Sequence, residues 1–259
     1  MSWNPERYLQ YGDLRLRPAL DLLARIPCQS PGRVADLGCG PGNVTALLAE
    51  RWPGAQIVGV DSSSAMLSRA RLNLPSLCWV QADIAEWAPA EPVDVLFSNS
   101  ALHWLDEHQS LFARLAAMLA RDGVMAVQVP ANFDAPSHRL VRELAAAPRW
   151  AGLLSGERMG AVLAAADYWR LLSAEFSVVD VWESVYWQKL GGRSAVLDWM
   201  LGTTLVPYLS RLDQEQAAAF LAELGARLIE AYPPERDDGV LFPFRRIFMI
   251  GRGARSCFT

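Results

Sequence analysis

Val34-Ala35-Asp36-Leu37-Gly38-Cys39-Gly40-Pro41-Gly42-Asn43 sets three glycines directly after a short apolar run and directly before a helical pattern. A strand ending at Leu37 has to turn sharply into a helix opening near Asn43. Glycine lets the backbone take positive φ there and approach a bound molecule with no Cβ in the way. The N–H groups of such a turn face whatever sits above the carboxyl end of the strand. An isolated Gly-x-Gly is commonly only a tight surface turn, so the residues that follow must decide. Val44 to Trp52 is amphipathic and closes at Pro53-Gly54; Gln56 to Val60 reads as a second strand ending on Asp61; Leu77-Cys78-Trp79-Val80 reads as a third, with Asp83 close behind. Asp61 falls about 20 residues beyond the glycines, where an acid binds ribose hydroxyls in dinucleotide folds. Three successive strand ends thus carry Gly-x-Gly-x-Gly, Asp and Asp. A nucleoside lying across adjacent strand tips needs that series: backbone under one part, a carboxylate for the ribose, and a polar group near the base. Taken singly, Asp61 and Asp83 also read as helix N-caps.

The loop is equally informative in what it lacks. A pyrophosphate fingerprint, Gly-x-Gly-x-x-Gly, uses its third glycine to bring the helix N-terminus close to two phosphates. Here Gly42 comes one place early and Asn43 stands where that glycine belongs. No Gly-Lys-Ser/Thr follows, which excludes a nucleoside-triphosphate P-loop. The ligand expected is a nucleoside without phosphates.

With these residues the chain resembles the class I S-adenosylmethionine-dependent methyltransferases. Val34 to Gly42 is similar to their first motif, Asp61 to their ribose acid, Asp83 with Ile84 to their adenine-side acid, and Val93 to Asn99 to their fourth strand. The resemblance spans roughly residues 30–130. It implies a doubly wound, mostly parallel seven-stranded α/β sheet with an antiparallel last strand, and S-adenosylmethionine as cofactor, leaving S-adenosylhomocysteine. The cofactor contacts it implies are Asp36, Gly38, Cys39, Gly40, Gly42, Asp61, Ser62, Met66, Asp83, Ile84, Ser98 and Asn99. Cys39 also reads simply as a small residue beside the glycines.

Composition agrees with a soluble globular protein. The chain has 259 residues, 52% hydrophobic and 20% charged, enough for one large core or a core with an inserted subdomain. No run of eighteen apolar residues occurs, and Met1-Ser-Trp-Asn-Pro-Glu-Arg has no signal-peptide apolar region, so a cytosolic protein is expected with no membrane partner. Four cysteines, Cys28, Cys39, Cys78 and Cys257, form no Cys-x-x-Cys or Cys/His cluster, and only three histidines are present, which argues against a metal site or a disulfide framework. Net charge is -4 with no basic run, so nucleic acid is not the expected substrate. Phe97-Ser98-Asn99-Ser100-Ala101-Leu102 also lacks the Asn/Asp-Pro-Pro-aromatic tetrapeptide of methyltransferases acting on nucleic-acid amines. A small molecule is the default acceptor.

Around this core the periodicity predicts a lead-in helix over Leu16, Leu20, Leu23 and Ile26, a helix over Asp106–Ala120 ending at Asp122-Gly123, and a fifth strand over Val124–Val129. A long Ala-rich helical stretch runs from Pro130 to about Phe176; a sixth strand, Val178–Trp187, and a helical block over 193–232 follow. The last strand is Phe244–Ile250. The expected organisation is a single domain, 1–259, with a helical cap made of insertions at about 130–176 and 190–240. If the last strand is antiparallel, its start lies at the ligand edge. Since strand side chains alternate, one of Arg245 and Arg246 then reaches the pocket and the other points away.

The flanks carry a closer resemblance. Trp3-Asn4-Pro5 with Tyr8, Arg15-Leu16-Arg17-Pro18-Ala19 with Asp21-Leu22-Leu23, His103-Trp104, Gly202-Thr203 with Pro207-Tyr208-Leu209, Tyr232-Pro233-Pro234 and Phe242-Pro243-Phe244-Arg245-Arg246 are similar to the trans-aconitate 2-methyltransferases. The acceptor this implies is a planar tricarboxylate, esterified on one carboxyl. A carboxylate, with an ordinary pKa of about 4, is already ionised at neutral pH and needs no general base. The carboxylates that do not react call for bidentate donors, a role suited to arginine. Candidates for substrate recognition are Tyr8, Arg17, His103, Trp104, Tyr208, Arg245 and Arg246. His103 doubles as the one candidate catalytic group, needed only for a hydroxyl or amine acceptor, and reads equally as a cap of the following helix. Tyr8, Trp104 and Tyr208 read equally as packing residues. Two other functions fit the same residues: methylation of another acid, such as a malonyl thioester on an acyl carrier protein, and non-enzymatic sensing of S-adenosylmethionine. A nicotinamide oxidoreductase is disfavoured by Asn43.

Overall fold

The structure, a computed structural model, describes residues 12–154, 156, 160 and 162–254. Seven strands form one sheet: β1 (Arg33–Leu37), β2 (Gln56–Asp61), β3 (Cys78–Gln81), β4 (Val93–Asn99), β5 (Leu119–Pro130), β6 (Phe176–Leu190) and β7 (Val240–Ala254). Their order is β3-β2-β1-β4-β5-β7-β6. The β1–β2, β1–β4, β2–β3 and β4–β5 pairs are parallel, and β5–β7 is antiparallel. The expected doubly wound sheet with a reversed last strand is therefore present. From β1 the chain winds outward to β2 and β3, then returns to the other side of β1 for β4 and β5. The crevice at the carboxyl ends of β1 and β4 is the switch point where such sheets bind ligands.

The central strands read as they do because both faces are covered. In β1, Val34 through Leu37 are all buried, and in β4 so are Val95 through Ser98. A parallel strand flanked on both sides loses the polar alternation of an exposed one. Helix α1 (Gly12–Ala24) precedes β1, α2 (Asn43–Arg51) links β1 to β2, and α3 (Ser64–Asn73) links β2 to β3. Arg51, in the last turn of α2, donates to the Leu23 and Ile26 carbonyls and so fixes the chain that enters β1.

Several element boundaries differ from the sequence reading. The helix expected over Asp106–Ala120 is a 3₁₀ turn, Leu102–Trp104, followed by α4, His108–Ala116. β5 begins at Leu119, so Asp122-Gly123 is no helix stop but part of a strand irregularity. Val93 pairs with Leu119 and Val95 with Val124, two steps along β4 against five along β5. A side chain at Gly123 would bring its Cβ within 2.9 Å of the Ala120 carbonyl oxygen, and glycine relieves that crowding. β6 and β7 also outrun the stretches Val178–Trp187 and Phe244–Ile250.

The chain divides into two compact units. Among the described residues, one holds 16–130, 160, 162–184 and 246–254; the other holds 12–15, 131–154, 156 and 185–245. The first contains the parallel sheet, with α7 (Ala165–Glu175) packed against α4. Residues 160–176, assigned from the sequence to the cap, group with this sheet unit. The second contains α5 (Pro136–Ala145), α6 (Pro148–Leu154), α8 (Ala195–Leu201), α9 (Val206–Leu209) and α10 (Gln214–Ala231). Its own core is aromatic: Trp150 meets Phe220 edge-on at 5.3 Å, and Phe242 lies against Tyr232, Trp199 and Phe244. A capping box starts α10. The Asp213 carboxylate accepts from Gln216 N–H at 2.8 Å, and the Gln216 side chain accepts from Asp213 N–H at 3.1 Å.

Candidate functional site

Gly38, Gly40 and Gly42 take φ of 75°, 56° and 87°. The N–H groups of Gly38 and Cys39 both donate to the Val60 carbonyl, at 2.8 and 3.1 Å, which pins the loop to the tip of β2. The three glycines nevertheless have different reasons to be there. A Cβ on Gly38 would stand 2.1 Å from the Ala101 Cβ, and one on Gly42 would stand 2.8 Å from the Trp79 ring, which also fills the space beside Gly59. A Cβ on Gly40 would meet no atom within 4 Å. Of the three, Gly40 alone presents bare backbone to open space; the other two glycines make room for the chain itself. The packing role of Trp79 was not read from the sequence, although a glycine in mid-strand at position 59 signals a close neighbour.

Asp61 is tied directly to this loop. One carboxylate oxygen accepts from Gly40 N–H at 2.9 Å and the other from Ser63 N–H at 2.8 Å. Each oxygen keeps a lone pair for another donor. The N-cap of α3 is Ser63, whose hydroxyl accepts from Met66 N–H at 3.3 Å, so the cap of the helix is not Asp61. Met66 is half-buried and Ser62 exposed. At the next tip, Asp83 accepts from Ala85 N–H at 2.8 Å in a local turn and its side chain is exposed. Ile84 reaches back to the loop, its Cδ1 lying 3.6 Å from where a Gly38 Cβ would sit. Arg114 holds this segment by donating to the carbonyls of Ile84 and Trp87.

Below the loop, Asp36 is 1% exposed and accepts from the Thr45 hydroxyl at 2.6 Å. Burial raises its pKa to about 7; the Thr45 bond opposes this and the charge of Asp61 adds to it. Burial, reinforced by Asp36 and Asp61, also pushes the Cys39 thiol up, so it is inert as a nucleophile at neutral pH. The raised Asp36 pKa has a measurable consequence. The folded state holds a proton that the unfolded chain, with its ordinary value of 3.8, releases, so this group favours folding below about pH 4 and that support is lost as pH rises to about 7. Urea unfolding of the cofactor-free protein is expected to show wild type losing about 1.4 kcal/mol per pH unit relative to Asp36→Asn across that window. Parallel stability profiles for the two proteins would refute it.

The β4 tip supplies Ser98 and Asn99. Ser98 is fully buried and donates to the Leu37 carbonyl at 2.8 Å, joining β4 to the start of the glycine loop. Asn99 Oδ1 is buried with no hydrogen-bond partner. Ser100 follows in left-handed backbone, φ 58°, its N–H donating to the Gln128 carbonyl at 2.9 Å. Because β7 is antiparallel, its residue 246 pairs with Pro130, at the carboxyl end of β5. Arg246 is 4% exposed there, and its Nη1 donates to Ser100 Oγ at 2.7 Å and to Gln128 Oε1 at 3.1 Å. Arg245, its neighbour in the other unit, is exposed; its N–H bonds Asn132 Oδ1 at 2.6 Å and its Nε the Ala131 carbonyl at 3.0 Å. The alternation expected of the pair thus turns Arg246 inward.

His103 is buried in the 3₁₀ turn, with its ring 4.7 Å from that of Trp104, which is half exposed. A Cβ on Gly160, at φ 101°, would stand 2.5 Å from the His103 carbonyl oxygen. A second histidine braces this turn: His108 Nε2 donates to the Leu102 carbonyl at 3.0 Å, and its Nδ1 bonds the Tyr168 hydroxyl at 2.8 Å. The third, His138, belongs to the second unit, between Ser137 and Thr204, where burial and then Arg142 lower its pKa to about 4. Tyr208 is likewise buried in the core of the second unit, and Arg17 is exposed on α1. Tyr8 lies outside the described residues. The structure therefore brings together Gly40 with Asp61, and Arg246 with Ser100 and Gln128. The last two were missed, although one glutamine in the otherwise apolar run Val124–Val129 was a legible signal.

Among the described residues, no group of histidine, cysteine and acidic side chains is arranged to hold a metal ion, and no helix is long and apolar enough to cross a membrane. A methyltransferase-domain family model matches residues 34–123. The chain is 47% identical to a trans-aconitate 2-methyltransferase of Azoarcus sp. over 96% of its length and 98% of the relative's. It is 46% identical to that of Methylobacterium nodulans, over 98% and 99%, and 48% to that of Streptomyces coelicolor, over 97% and 86%. In fold it is similar to the YcgJ protein of Bacillus subtilis, with a TM-score of 0.60 at 15% identity over 93% of this chain and all of the other. It also matches a Haemonchus contortus phosphoethanolamine N-methyltransferase in complex with S-adenosyl-L-methionine, with a TM-score of 0.53 at 17% identity over 91% of this chain and 52% of the other.

Proposed function

The chain belongs to the trans-aconitate 2-methyltransferase family, and from that premise we propose that it moves the methyl group of S-adenosylmethionine to one carboxylate of trans-aconitate, giving the monomethyl ester and S-adenosylhomocysteine. The observation that carries the acid half of this reading is Arg246, a buried guanidinium on the same sheet edge as the glycine loop.

The residues suit the cofactor. Gly40 offers bare backbone to a ligand, and Asp61, held by Gly40 and Ser63, has lone pairs left for ribose hydroxyls. Gly38, Cys39 and Gly42 shape that loop, and Asp36 places a carboxylate beneath it. Ser62 and Met66 follow Asp61, Asp83 and Ile84 form the rim on the base side, and Asn99 Oδ1 is a buried acceptor awaiting a donor, with Ser98 anchoring its strand. When bound, S-adenosylmethionine supplies a methyl group on a cationic sulfur.

The protein's remaining work is to seat an anion in front of that methyl. Trans-aconitate arrives ionised, so no side chain has to remove a proton, and His103 serves here as a wall and donor, not as a base. Holding the reacting carboxylate at near-attack distance and stripping its water accounts for catalysis. Arg246 is the donor assigned to a carboxylate that does not react, with His103 and Trp104 beside the β4 tip. Tyr8, Arg17, Tyr208 and Arg245 remain secondary candidates; the packing of Tyr208 and the Ala131 bond of Arg245 favour structural work for both.

With labelled S-adenosylmethionine, the purified protein is expected to methylate trans-aconitate in preference to cis-aconitate and citrate. Absence of transfer to every tricarboxylate would sink the assignment.

A further inference from the structure

Gln128 is completely buried in β5, in register with Asn99 of β4 and Phe248 of β7, two residues beyond Arg246. Elementary donor and acceptor chemistry decides how its amide is turned. A guanidinium only donates, so the Gln128 atom 3.1 Å from Arg246 Nη1 has to be the oxygen. Ser100 Oγ accepts from the same Nη1 at 2.7 Å and therefore directs its own hydrogen to Gln128 Oε1, 2.9 Å away. Two hydrogens converge on that oxygen. The amide NH₂ is left buried with no hydrogen-bond partner. Buried donors are almost always satisfied in folded proteins, and one that is not marks a place where something else completes the bonding. This one sits at the ligand edge of the sheet beside a guanidinium, and a group able to accept from amide and guanidinium together is a carboxylate.

The choice of glutamine is itself informative. A glutamate here would orient Arg246 as well, but its charge would neutralise the guanidinium. Glutamine and serine position the guanidinium through neutral oxygens that do not cancel its charge.

We propose that Gln128 is a specificity-determining ligand of the acid substrate, its amide N–H donating to the carboxylate that Arg246 binds. The inference rests on the acid-methylating reading above and adds a second donor to it. The test compares wild type with Gln128→Glu and Gln128→Met, reading KM for trans-aconitate, the dissociation constant for S-adenosylmethionine and the melting temperature. Both variants are expected to raise KM at least tenfold with cofactor affinity kept within twofold. A Gln128→Met protein with unchanged KM overturns the inference and leaves the NH₂ to a buried water; a matching loss of cofactor affinity overturns it in favour of a general structural role. Wild type inactive on every tricarboxylate removes the underlying reading as well, which the two variants alone never do. If neither variant folds, the Gln128 side-chain NH₂ resonance in labelled wild type decides. It must move when the acid is added to the S-adenosylhomocysteine complex, and a stationary resonance overturns the inference.

Discussion

Replacing Arg246 with leucine is expected to lower kcat/KM for trans-aconitate by about 10²–10⁴-fold, the loss of two charge-assisted hydrogen bonds of roughly 1.5–3 kcal/mol each. The effect should fall on the acid and spare the cofactor. Arg246 enters from β7 beside Pro130, whereas Gly40 and Asp61 belong to the tips of β1 and β2, on the far side of β4. Leucine leaves Ser100 and Gln128 still able to bond each other, so the polar cluster loses its cation without losing its internal hydrogen bond. Arg246→Lys is a sharper probe. It keeps the charge but gives up the planar fork that matches a carboxylate, and an intermediate loss, mainly in KM, is expected. Equal losses of acid and cofactor affinity, measured by steady-state kinetics and calorimetry, would show that the residue supports the fold and does not bind the acid.

That Arg246 was findable in the sequence at all follows from topology. A reversed last strand brings its beginning, not its end, to the carboxyl edge of the parallel strands, and period-two alternation then selects one of two adjacent arginines. What selects Arg246 over Arg245 is the set of partners, Ser100 and Gln128, which lie 146 and 118 residues away in the chain. No local pattern contains that information. The same limit explains His108, whose ring, bonded to the Leu102 carbonyl, is held in place by Tyr168, 60 residues on. Local features were legible where they depend on local chemistry: the glycine loop, the strand-end acids and the buried apolar runs of β1 and β4. The start of β5 was misread for the opposite reason. Asp122-Gly123 is a good turn signal, and the pairing of Leu119 with Val93 overrides it.

The glycine loop divides into two experiments for the same reason that its three glycines have different neighbours. Gly38→Ala is expected to destabilise the fold by about 2–5 kcal/mol, combining the left-handed backbone cost with overpacking against Ala101. The geometry leaves no easy relief. The new Cβ would stand 2.1 Å from another Cβ, at a backbone φ of 75°, in a loop whose next two N–H groups are fixed to the Val60 carbonyl and the Asp61 carboxylate. Gly40→Ala bears a similar backbone cost at φ 56° but meets no atom within 4 Å, so its stability loss should stay within about 1–2 kcal/mol. Its penalty appears instead in cofactor affinity, because the added methyl occupies the space the ligand needs against the open backbone. Urea unfolding and calorimetry on the two variants therefore cross over: Gly38→Ala loses more stability, Gly40→Ala more affinity per unit of stability lost. A Gly40→Ala protein that binds S-adenosylmethionine like wild type would mean that the open face of the loop is not where the cofactor lies, and the assignment of Asp61 to the ribose would fall with it.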